Sequence, residues 1–211
     1  MRITKYEHAT FVAQIGEKKL VVDPGSFTVP LPDSTNVVAV VVTHEHADHW
    51  TPEHLTRIRE SSPDVRFFAP AGVAAAASDF DFTVVKAGDK IELDPFTLEF
   101  FGELHAEIHA SIPLVDNVGV LINGQVYYGG DSFTQGPSGV ELLAVPASAP
   151  WLKIGEVMDY VAAAKPKRSF PTHEMINSVI GNGMANGRIQ ALTEAGGGEF
   201  FALSAGDTVE I

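Results

Sequence analysis

The sequence predicts an α/β fold in which sheets carry helices on their outer faces, formed by a single domain over residues 1–211. Three observations predict it. Short apolar, β-rich runs recur along the whole chain. Helix-like segments fall between some of them. Gly, Pro, Asn and Asp punctuate the series, with no linker or low-complexity tract.

In chain order, strand-like runs cover residues 2–6, 10–15, 19–22, 37–42, 65–69 and 82–85, then 97–102, 118–122, 125–128, 142–145, 168–170 and 200–203. The "INGQ" between two of them is a hairpin turn. Thr51-Pro52 supplies an N-cap hydroxyl and a proline at the first helical position, so a helix runs from there to about residue 59. Further helices are expected over 71–77, 154–164 and 186–195, and the run "AAAA" at 74–77 is expected on a tightly packed helix face. Loops leaving the strand ends then gather at one edge, where a site can form.

Composition narrows the function classes. An apolar fraction of 45% and a charged fraction of 19% describe an ordinary globular chain, not a disordered one. The longest apolar runs are too short to cross a bilayer. The opening "MRITKYEHAT" has no apolar signal core, so the expectation is a cytoplasmic protein. With no cysteine there is no disulfide, thiolate metal site or cysteine nucleophile. A net charge of −13 repels a nucleic-acid backbone, and no Lys/Arg cluster offsets it, although bound cations would add positive charge that this sum omits. The expected partner is a small-molecule substrate. The oligomeric state is not readable.

Chemistry concentrates in "THEHADHW", residues 43–50, directly after the apolar run at 37–42. Three of the eight histidines, His44, His46 and His49, crowd there with Asp48. A polar loop is the bland alternative. Imidazole and carboxylate together suit a borderline cation such as zinc. His44 and His46, two apart in extended chain, project to the same side and can share one ion, while Asp48 and His49 lie where the chain turns toward Thr51.

The spacing His-x-His-x-Asp-His resembles the signature of the metallo-β-lactamase superfamily, a four-layer αββα sandwich. The later motifs follow in the order that family shows: "GELHAE" with His105, "YYGGDS" with Asp131 and "SFPTHE" with His173. "LVVDPG" places Asp23 where the family braces its metal loop. The arrangement is most similar to small single-domain hydrolases related to the ascorbate-phosphate lactonases, with no room for the extra domain of nuclease branches. The resemblance implies two divalent ions, zinc with manganese as the alternative. One would sit on His44, His46 and His105, the other on Asp48, His49 and His173, with Asp131 bridging. It further implies a metal-dependent hydrolase that activates water against an ester, lactone or phosphoester. Asp48 would take the nucleophile's proton, and His109 would serve the leaving group.

Other assignments stay open at this level. His105 is read as the end of a strand that delivers it to the metal edge, and His109 as a loop residue facing substrate. His8 is either a neighbour of the ligands or a plain loop histidine. His54 is expected on a solvated helix face, and Trp50 and Trp151 in the core or a pocket wall. Two rivals to a hydrolase are a redox or oxygen-handling member of the same fold and a non-catalytic binding module. The flavodiiron branch typically carries glutamate where this chain has His46, which favours a redox-inert pair.

Overall fold

Two seven-stranded sheets, each flanked by helices on its outer face, make up the computed structural model, which describes residues 1–211. The first sheet runs, edge to edge, β14 (Thr208–Glu210), β1 (Arg2–Lys5), β2 (Phe11–Ile15), β3 (Lys18–Val22), β4 (Val37–Val41), β5 (Arg66–Ala69) and β6 (Phe82–Val84). The second runs β13 (Glu199–Phe200), β12 (Arg168–Thr172), β11 (Leu142–Pro146), β10 (Val126–Tyr128), β9 (Gly119–Ile122), β8 (Phe96–Phe101) and β7 (Lys90–Leu93). Helices α1 (Pro52–Ser61) and α2 (Ala71–Ala76) belong to the first half, α3 (Ile154–Ala164) and α4 (Val179–Ala195) to the second.

Three apolar clusters establish the four layers. Phe11, Phe68, Phe96, Phe100, Tyr128 and Phe170 interdigitate between the sheets. Leu55 and Ile58 of α1 and Val73 of α2 pack on Val21, Val40 and Val42 of the first sheet. Val157 and Val161 of α3 and Ile189 of α4 cover Leu143 and Val145 of the second. Each such large side chain contributes roughly 1.5–3 kcal/mol on burial. The unbroken apolar run of β4 follows from this burial on both faces, as does its parallel pairing with β3 and β5.

Several elements differ from expectation. The edge strands β7 and β14 were not foreseen. Their exposure alternates and each carries charge, so neither presents an apolar run. Helix α4 begins at Val179, seven residues before the expected start at 186, even though Gly181, Gly183 and Gly187 weaken it. Ser178 caps it, its Oγ accepting from Gly181 N at 3.1 Å, and Ala185, Ile189 and Thr193 anchor it. The strand expected at 200–203 is instead Glu199–Phe200. In α2 only Val73 is buried; of the alanine run, Ala75 and Ala76 are exposed and only Ala77, just past the helix, packs into the core, so the run as a whole is not a packed face. His54 is buried rather than solvated, its Nε2 donating to the Thr28 carbonyl at 2.9 Å.

The segments leaving β4, β8, β10 and β12 carry, in turn, the histidine-rich loop, His105, Asp131 and His173. Parallel β10, β11 and β12 send their C-terminal ends to one edge of the second sheet. Open α/β sheets place their ligand sites at such an edge.

Candidate metal centre

Asp23 organises the histidine loop. It is fully buried just after β3, at φ +46°, a left-handed conformation that costs a non-glycine residue of order 1–3 kcal/mol. Its Oδ1 accepts from Thr43 N at 2.7 Å, and its Oδ2 accepts from Thr43 Oγ1 and from His49 Nδ1, each at 2.7 Å. With Nδ1 of His49 committed to Asp23, Nε2 is the nitrogen turned toward Asp131 and left for a cation once its proton is displaced. Because Thr43 Oγ1 donates to Asp23, it accepts from His44 Nδ1 at 3.1 Å, which leaves Nε2 of His44 as the acceptor, here facing His46 Nδ1 at 3.1 Å. The bracing expected of Asp23 is therefore present in full. Gly25 completes the support: a Cβ there would fall on the backbone carbonyl of Asp48.

The seven residues singled out from the sequence come together. His44, His46 and His105 form one group, with donor atoms within 4.8 Å of one another, and His44, His49 and Asp131 form another. Asp48, His49 and His173 form a third, which also includes His8. Asp131 lies against both halves. Its Oδ1 is 3.3 Å from His49 Nε2, and its Oδ2 is 3.4 Å from His105 Nε2 and 3.1 Å from His173 Nε2. His105 Nδ1 donates to the Ala106 carbonyl at 2.5 Å, so its Nε2 also faces inward as a lone pair.

This donor set fits a pair of divalent cations. Nε2 of His49, His105 and His173 and Oδ1 of Asp131 are buried without any hydrogen-bond partner. Each such orphaned group costs about 1–3 kcal/mol. Converging nitrogen and oxygen lone pairs are satisfied together by a cation, and imidazole with carboxylate is the set a borderline divalent metal takes.

The delivery of His105 differs from expectation. Strand β8 ends at Phe101, Gly102 turns the chain at φ +74°, and an isolated bridge between Leu104 and Asp116 then carries His105 inward. The histidine is brought by a loop, not by the strand end. His109 stays exposed on that loop: its Nδ1 accepts from Ser111 N at 3.1 Å, and it makes no hydrogen bond to any of the seven.

Four residues support the cluster, and of these only His8 is considered beside the ligands from the sequence, the reading its position bears out. Trp151 Nε1 donates to Asp131 Oδ2 at 2.9 Å. Asn117 Oδ1 accepts from Asp131 N at 3.0 Å. His8, buried and at φ +58°, sets its Nε2 at 3.0 Å from Asp48 Oδ2, and its carbonyl accepts from His173 N at 3.0 Å. Lys5 is buried beneath it, donating to the His8 carbonyl at 2.8 Å and to Glu174 Oε1 at 3.1 Å, while His8 N also donates to Glu174 Oε1 at 2.9 Å. That clamp joins the start of the chain to the residues after β12. His8, Asp23 and His173 all sit at positive φ, strain that persists because the surrounding contacts fix these residues in place.

Protonation in the metal-free cluster is uneven. Burial pushes His44 and His46 down, keeping both neutral. Burial also opposes charge on His49 and His173, but Asp131 outweighs it, aided by Asp23 at His49 and by Asp48 at His173; His173 is raised to about 9. Burial likewise opposes charge on Asp48, yet His173 and His8, at 3.4 and 3.0 Å from its Oδ2, hold it well below the usual carboxylate range. A cation entering at Asp48, His49 and His173 therefore displaces protons, whereas one entering at His44 and His46 meets neutral rings. Because a raised pKa means a proton held below it, affinity at the first of these groups falls as pH drops through about 9. The slope should be roughly one log unit per pH unit for each displaced proton. Chelator-competition titrations should show the two affinities separating as pH falls, and parallel pH dependences would contradict this.

Residues 2–173 match a family model described as a beta-lactamase superfamily domain. The chain belongs to the beta-lactamase superfamily. A relative from Mycobacterium tuberculosis, Protein Rv0786c, is 31% identical over 198 residues, 92% of this chain and 93% of that protein. Igni18, described as a novel metallo hydrolase from the archaeon Ignicoccus hospitalis, superposes with a TM-score of 0.71 at 17% identity over 99% of this chain and 97% of its own. CmlA, a diiron beta-hydroxylase from Streptomyces venezuelae, superposes with a TM-score of 0.72 at 13% identity over 100% of this chain but 54% of its own. At such identities these superpositions speak for the fold alone, and that fold is the metallo-β-lactamase αββα sandwich. No helix is long and apolar enough to cross a membrane.

Proposed function

We propose that this member of the superfamily is a metal-dependent hydrolase that uses a dinuclear site to activate water against an ester, lactone or phosphoester bond of a small molecule. The observation that carries the proposal is the buried, unpartnered Nε2 trio of His49, His105 and His173 arranged about Asp131. Zinc is the proposed metal, with manganese the alternative. When bound, such ions lower the pKa of a water toward neutrality and polarise the scissile oxygen.

The chain's own residues divide the remaining work. Asp131, whose side chain is 4% exposed, is enclosed and holds both halves together. Asp48, 25% exposed, is the carboxylate open to solvent and substrate. His8 occupies its Oδ2, leaving Oδ1 to take the nucleophile's proton. His109, exposed on the loop that carries His105, is the proposed donor to the leaving group.

CmlA keeps an oxygen-handling alternative in view, since the same fold serves a diiron hydroxylase. The all-imidazole group His44, His46 and His105 favours zinc over that reading. The test is turnover of an ester, lactone and phosphodiester panel by zinc- or manganese-reloaded protein. Hydrolysis of at least one class above the metal-free rate is expected, with His109→Ala slower but still metal-loaded. No turnover with either metal, or oxygen consumption with iron, would overturn the proposal.

A further inference from the structure

Beside the metal centre lies a cavity of ≈ 500 Å³, within the size range of small-molecule sites. Trp151 is the wall the two share. Its indole donates to Asp131 Oδ2 at 2.9 Å, its ring lies 5.8 Å from that of His105, and its other neighbour is Phe133 at 5.1 Å. Ile108 and Leu152 join Phe133 and Trp151 in the apolar part of a mixed lining whose remainder includes Glu107, Lys153 and Glu156.

The charged groups at this cavity do not suit an anion. Glu107 and Glu156 face a single base, Lys153, whose Nζ lies 4.0 Å from Glu156 Oε1. The N-terminus of α3 opens here too, and such an end ordinarily attracts anions. Glu156 already covers it, its Oε2 accepting from Lys153 N at 3.4 Å. No lysine or arginine is among the hydrogen-bond or ion-pair partners of the seven clustered residues, and the chain as a whole carries −13.

We infer that this cavity is the subsite for a neutral, apolar part of the substrate. On the hydrolase reading, on which this rests, the substrate is an uncharged ester or lactone bearing a hydrocarbon group, and not a phosphoester. Trp151 then has two tasks, orienting Asp131 through its N–H and presenting its ring face to the hydrocarbon.

The test uses metal-reloaded protein with two readouts. In binding, a series of anilides with acyl chains of increasing length, which resist hydrolysis, is followed by tryptophan fluorescence against inorganic phosphate. In turnover, the matching 4-nitrophenyl esters are compared with bis(4-nitrophenyl) phosphate. Anilide affinity and ester kcat/KM should rise up to about fourfold per methylene, the worth of one buried CH₂. Ile108→Glu should abolish that dependence and keep its metal content, and the milder Ile108→Ala should weaken it. A chain-length-independent anilide affinity, or phosphate bound in preference and unaffected by Ile108→Glu, overturns the inference. Should the anilides bind as described while no ester turns over, the hydrolase reading fails and the apolar subsite stands.

Discussion

Asp131→Ala should release both cations together. Its carboxylate lies 3.3 Å from His49, 3.4 Å from His105 and 3.1 Å from His173, so it contributes to both halves of the cluster. Loss of a neighbour that merely orients a ligand typically costs 10–100-fold in metal affinity, so loss of a shared ligand should exceed about 100-fold at each half. The fold should survive, because Asn117 holds the backbone N–H of residue 131, and Asn117 Nδ2 donates to the Gly129 carbonyl at 2.9 Å. Removing the anion also strips His49 and His173 of the charge that raises them, so both should titrate lower in the metal-free variant. Elemental analysis with chelator competition reads the result. Retention of one ion at unchanged affinity would show that Asp131 serves only one half.

Asp48→Asn should keep the fold, weaken the cation held with His49 and His173, and, at metal concentrations that refill the site, slow turnover by about 10²–10⁴-fold, the usual span for loss of a general base. The amide is nearly isosteric, and its oxygen can still accept from His8 Nε2 at the 3.0 Å now observed for Asp48. What disappears is the negative charge and the ability to take a proton. Single-turnover rates on whichever substrate the panel identifies, with metal content measured alongside, separate chemistry from metal loss. A variant with near-parental rate would remove Asp48 from the base role.

Much of this was legible where chemistry and chain order coincide. His44, His46, Asp48 and His49 are adjacent in sequence, and their spacing already brings them together. His105, Asp131 and His173 became legible through their order and the β-rich runs before them, which the observed strands largely match. Apart from His8, the supports were not legible, because they are contacts across the fold. Lys5 meets Glu174 across 169 residues, and Trp151 reaches Asp131 from the segment ahead of α3. Only the meeting of the two sheets places such pairs side by side. His54 looked solvated because a lone polar residue three positions into a helix usually is, whereas the Thr28 carbonyl gives it a buried partner. The edge strands β7 and β14 lack the apolar run that marks a strand, and backbone pairing with β8 and β1 makes them strands instead. The early start of α4 was hidden by its glycines, which local propensity counts against a helix while the Ser178 cap and the Ile189 anchor outweigh them.

Elemental analysis of the purified protein, stripped and then reloaded with zinc or manganese, is the most direct measurement of whether this cluster is a dinuclear centre. Two ions per chain are expected, because the unpartnered lone pairs fall on both sides of Asp131. A ceiling of one ion per chain would contradict it, leaving one half of the cluster as a hydrogen-bonded set of histidines and carboxylates.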